Sequence, residues 1–151
     1  MVDRVVKVLN GPRGSFLLCV GLLSLTHSAS CLPQAFSTPA LPFGMELLNQ
    51  IVPIGVYAAI WLVAATISLV AAFGKDTHRG HEVVDVAAFG ISTGMYLLWG
   101  ITYMLGWAFD EENSVQWIYA AIYVLVAGLI AAAARMTNPL HRRAVESRNE
   151  A

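Results

Sequence analysis

The stretch IVPIGVYAAIWLVAATISLVAAF, residues 51–73, carries no charged side chain over 23 residues. At roughly 1.5 Å per residue a helix of that length reaches about 34 Å, enough to cross a hydrocarbon core of about 30 Å. Its apolar residues run continuously instead of alternating, which favours a helix over a strand. A strand in lipid would also leave its edge groups unpaired. Two further runs repeat the pattern. Residues 86–109 are uncharged over 24 positions, with Asp85 just before them, and residues 117–134 make an 18-residue run at the short limit of a span.

The whole composition agrees. Hydrophobic residues make up 57% of the 151 and charged residues 13%, too few polar groups to cover three such runs in a soluble core. The expected fold class is all-α, a polytopic transmembrane helical bundle with spans at residues 51–73, 83–109 and 116–134, and the lipid bilayer is its first partner. Nine basic against ten acidic residues exclude a strongly basic nucleic-acid binder and a disordered acidic tail. Two cysteines make no disulfide scaffold, and no spacing specifies a structural zinc.

Charge sets the expected orientation. Lys75 and Arg79 lie between the first two of these spans, and Asp110, Glu111 and Glu112 lie between the second and third. Arg135, Arg142, Arg143 and Arg148 follow the last. Under the positive-inside rule the first connection and the tail at residues 135–151 are cytoplasmic and the acidic connection is external. Trp107, Phe109, Trp117 and Tyr119 flank the acidic connection as an interfacial aromatic belt does.

Residues 1–31 admit three readings. Arg4, Lys7 and Arg13 precede the apolar run Phe16–Leu25, and small residues follow up to Ser30 and Cys31, the layout of a signal peptide cleaved near those two. The same stretch reads as an uncleaved additional span, short and interrupted by His27. In the third reading the functional start is Met45. Residues 32–50 are expected to be an irregular external segment, because Pro33, Pro39 and Pro42 fix φ and remove backbone donors.

Several motifs carry chemical readings. Gly90 and Gly94 form a GxxxG pair, with Thr102 and Gly106 and then Ala127 and Ala131 as further small pairs four residues apart. Such pairs let a second backbone approach closely, so these six residues are the expected helix-packing sites. The same stretch read as GxSxG imitates a hydrolase nucleophile elbow around Ser92. That motif needs a strand–turn–helix and a nearby base, and no histidine lies in the three spans. His78, His81, Glu82 and Asp85 form a metal-like cluster of mixed nitrogen and oxygen donors, which also reads as a hydrated loop leading into a helix N-terminus. Trp61 and Trp99 fall mid-span and are expected to pack between helices, while Thr66, Ser68, Ser92, Thr93 and Thr102 supply mild polarity. No ionisable residue stands in the middle of the three spans, which disfavours a transporter subunit, and no cofactor or catalytic residue is expected.

In layout the region from Met45 onward resembles the three-span phage holins, with an external N-terminus, short connections and an arginine-bearing tail. The resemblance implies assembly into membrane lesions and would make Gly90, Gly94, Thr102 and Gly106 oligomerisation contacts. The residues themselves lead to a small membrane protein without catalysis, working by helix packing with copies of itself or with a partner membrane complex. A holin-like pore former and a small transporter subunit are the alternatives.

Overall fold

The computed structural model describes residues 11–36, 41–74, 80–109 and 115–137. They form five helices: α1 (Gly11–Phe36), α2 (Phe43–Ile51), α3 (Ile54–Phe73), α4 (Gly80–Phe109) and α5 (Gln116–Thr137). All but the short α2 are long and apolar enough to cross a membrane. The fold is thus an all-helical bundle of four candidate spans. The fourth is the N-terminal stretch, folded as α1 and packed most extensively on α3.

Residue pairs fix the topology. Ser28 meets Ala58 and Gly21 lies against Leu69, so α1 and α3 are antiparallel. Ser68 faces Ser92, Tyr103 faces Tyr119, and Arg13 pairs with Asp85. The helices therefore run up, down, up and down, with the start of α1, the end of α3, the start of α4 and the end of α5 at one end.

Side chains sort by size more than by polarity. On α3 the buried residues are Ile54, Tyr57, Ala58, Trp61, Ala64, Ala65, Ser68, Ala71 and Ala72, three heptads with the same three positions buried in each. Leu17, Ser24 and Cys31 repeat every seventh residue on the buried face of α1, and so do Gly14, Gly21 and Ser28. On α4 the register runs through Ala88, Ser92, Met95, Trp99, Thr102 and Gly106, alternating steps of four and three. This 3.5-residue period is the geometry of left-handed bundles. Exposed positions carry the bulky aliphatic residues instead, among them Leu62, Val63, Val70, Ile101, Leu125 and Leu129. A bundle that hides serine and alanine while presenting leucine and valine outward is suited to lipid, where close backbone approach and interhelical hydrogen bonds drive association.

Two features differ from the irregular segment expected over residues 32–50. Helix α1 continues through Pro33 to Phe36, and residues 43–51 form α2. Proline breaks a helix only where its missing donor and fixed φ conflict with the turn. Pro42 stands at the N-cap of α2 with φ −54°, and its carbonyl accepts the Glu46 N–H at 3.0 Å, opening the helix. Pro53 stands likewise at the N-cap of α3. Helix α2 tucks Gly44 and Met45 against the bundle and leaves Glu46, Asn49 and Gln50 exposed.

Candidate functional site: an intramembrane histidine in an aromatic network

His27 stands in the third heptad of α1, beside the seam that α1 forms with α3. Its ring stacks on Trp61 of α3 at 4.6 Å between centroids and meets Tyr96 of α4 and Tyr123 of α5 edge-on, each at 5.5 Å. One α1 side chain therefore touches every other spanning helix. His27 Nδ1 lies 2.8 Å from the Leu23 carbonyl. A carbonyl only accepts, so in the neutral ring Nδ1 holds the proton and donates it. That leaves the lone pair on Nε2, which accepts the Tyr123 hydroxyl at 2.9 Å. The tautomer follows from the helix itself, because a residue four positions earlier supplies the carbonyl.

Around this dyad the aromatic contacts continue. Tyr123 stacks on Tyr103 at 5.5 Å with the ring planes 10° apart, and Tyr103 meets Tyr119 at 5.4 Å. Tyr96 lies 6.0 Å from Tyr123 and 5.0 Å from Trp61; Trp61 lies 5.7 Å from Trp99, and Trp99 meets Tyr57 at 5.4 Å. All five tyrosines of the chain belong to this one network. The phenylalanines pair apart, Phe16 with Phe89 and Phe43 with Phe109. Three polar atoms inside the network are buried. Trp61 Nε1 has no acceptor among the described residues, and the Tyr96 and Ser24 hydroxyls are neighbours outside ordinary hydrogen-bond geometry. An ionisable side chain so placed in a span is expensive to keep, which makes His27 the candidate around which a site is built.

The residues singled out from the sequence are distributed unevenly. Thr102 and Gly106 sit where α2 crosses α4. A Cβ on Gly44 would collide with the Thr102 carbonyl, and one on Gly106 would collide with the Gln116 side chain. Ala127 is buried on α5 and Ala131 is half-buried. Gly90 and Gly94 face outward, with no other part of the bundle within 4 Å of a Cβ built on either. Trp61 and Trp99 are both interior, inside the aromatic network. Ser92 is fully buried, its hydroxyl 3.5 Å from that of Ser68. Of the metal-like cluster, Asp85 pairs with Arg13. His78 and the side chains of His81 and Glu82 lie outside the described residues, within which no group of three metal-ligating residues occurs. Cys31 is buried on α1, and Ser30, exposed beside it, donates its hydroxyl to the His27 carbonyl.

His27 is the residue that sequence reading passed over. It stood there as a polar interruption of a weak span, and the three spans from residue 51 onward contained no histidine. The available signal was its spacing: Ser24, His27, Ser28 and Cys31 share one helix face, as steps of three and four require. No protein-family profile, curated protein or solved structure matches the chain.

Proposed function

We propose that the chain is a small four-span membrane protein that keeps α1 in the bilayer and places residues 135–151 in the cytoplasm. It works without catalysis, by lateral association with a second copy of itself through the α4 face bearing Gly90 and Gly94. The observation that supports this reading is the outward placement of those two glycines. Glycine in a helix interior costs about 1 kcal/mol relative to alanine. Gly44 and Gly106 offset that cost by admitting a neighbouring group within the chain. Among the described residues Gly90 and Gly94 have no such neighbour, so a helix from outside is the group that their missing side chains would admit. The orientation is supported by the common end at which Arg13 and Arg135 fall, opposite to Glu46.

A Gly90→Ile, Gly94→Ile double variant tests the association cleanly, because both side chains would point into open space within the monomer. The expected outcome is a folded protein whose crosslinked dimer in bilayers is lost. Crosslinking equal to that of the parent protein would refute the reading.

A further inference from the structure

The composition of the aromatic network is itself informative. Packing alone has no need to separate ring types, yet all five tyrosines and the two mid-span tryptophans, rings that release an electron readily, are gathered together, with Phe16 and Phe89, and Phe43 and Phe109, paired elsewhere. Within the network only Tyr123 has its phenolic proton directed at a free lone pair, that of His27 Nε2. Loss of an electron makes a phenol strongly acidic, so a base already hydrogen-bonded to it removes the main barrier to oxidation in a medium of low dielectric. Without that base the product would be an unpaired buried cation, which is costly.

An electron path to the surface accompanies the proton path. Tyr123 stacks on Tyr103 and Tyr103 adjoins Tyr119, with centroid separations of 5.5 and 5.4 Å. Tyr119 is 51% exposed and lies in the first turn of α5, where the span meets the interface. The proton goes inward to His27 while the electron goes outward along three stacked or adjoining tyrosines. His27 in turn stacks on Trp61, whose ring face favours the imidazolium that forms.

From this geometry we infer that Tyr123 and His27 form a proton-coupled one-electron redox site that is oxidised by lipid peroxyl radicals arriving at Tyr119. In the step a lipid peroxyl radical takes one electron, relayed by Tyr119 and Tyr103 from Tyr123, and a proton from interfacial water, giving a lipid hydroperoxide and a hydroxide ion in the interfacial water. The Tyr123 O–H bond breaks, its proton bonds to His27 Nε2, and a neutral phenoxyl radical remains beside an imidazolium. The oxidant class follows from position: Tyr119 opens onto the bilayer, near the polar boundary that a peroxyl group prefers.

The test uses the full chain in phosphatidylcholine vesicles with a lipid-soluble azo initiator, freeze-quenched for electron paramagnetic resonance. The parent protein is expected to show a neutral tyrosyl signal whose formation is slower in D2O. Tyr123→Phe should lose that signal. Tyr103→Phe, which removes only a hydroxyl and keeps the ring stack, should strand the radical at Tyr119 with an altered hyperfine pattern. His27→Phe should slow radical formation and abolish the D2O effect. A parent protein that stays silent while its lipids peroxidise would overturn the inference. So would a signal unchanged in Tyr123→Phe, or kinetics indifferent to both D2O and His27→Phe. The Tyr103 variant keeps the test decisive if either dyad variant fails to fold.

Discussion

His27 shows how one side chain can be structural and chemical at once. Its ring is held by the Leu23 carbonyl on one side and by Tyr123 on the other, so its orientation is fixed before any chemistry occurs. Replacing it with leucine would leave the half-buried Tyr123 hydroxyl without its acceptor. The expected cost is about 1–2 kcal/mol, measured by reversible unfolding in mixed micelles. Tyr123→Phe removes the other half of the same bond, and because its loss is not independent, the double variant should cost less than the sum of the two. At this scale the sequence was partly legible. Trp61 and Trp99 could be read as interior packing residues from their mid-span positions, and both are buried. His27 could not be read in the same way, because its partners lie on three other helices, as far as 96 residues away in sequence.

At the scale of the helices, the existence of spans was legible and their inward faces were not. Helix α3 is apolar on every side, so hydropathy offers no contrast by which to orient it. The contrast lies in volume. Ala58, Ala65 and Ala72 line the seam toward α1, while Leu62, Val63 and Val70 face outward. Ala65 is 1% exposed, and its carbonyl stands 3.3 Å from where a Cβ on Gly21 would be. Ala65→Leu should therefore push α1 from α3 and destabilise the bundle by about 1–3 kcal/mol, the usual range for overpacking. Ala59→Leu, one residue beyond the buried register, should change stability by less than about 0.5 kcal/mol. Equal effects in a thermal-denaturation comparison would contradict the heptad assignment. The prolines teach a related lesson. Pro42 was legible as punctuation, but a proline before a first turn, as Pro42 and Pro53 both are, marks where a helix begins as well as where one cannot continue. Residues 43–51 therefore form a helix despite the prolines on either side.

At the scale of the molecule, α1 belongs to the bundle as a packing partner of α3, and the dyad needs both α1 and α5. A chain beginning at Met45 would expose Ala58, Trp61 and Ala65 on the face that α1 covers. It should accumulate poorly in membranes and be cleared by proteolysis, which a pulse-chase comparison with the full chain would reveal. The two ends of the bundle are fastened differently. Asn49 Oδ1 of α2 accepts the Ile54 N–H of α3 at 2.9 Å, and Gly44 of the same helix sits against Thr102 and Gly106 of α4. At the opposite end Arg13 pairs with Asp85 and Phe16 stacks on Phe89, both joining α1 to α4. Both ends of the bundle are therefore closed, one by α2 and the other by the passage of the chain from α3 into α4 with the Arg13–Asp85 pair beside it. The aromatic network lies between these two closures, like a load carried between two hoops, so strain applied at either end reaches His27 and Tyr123 only through the helices between.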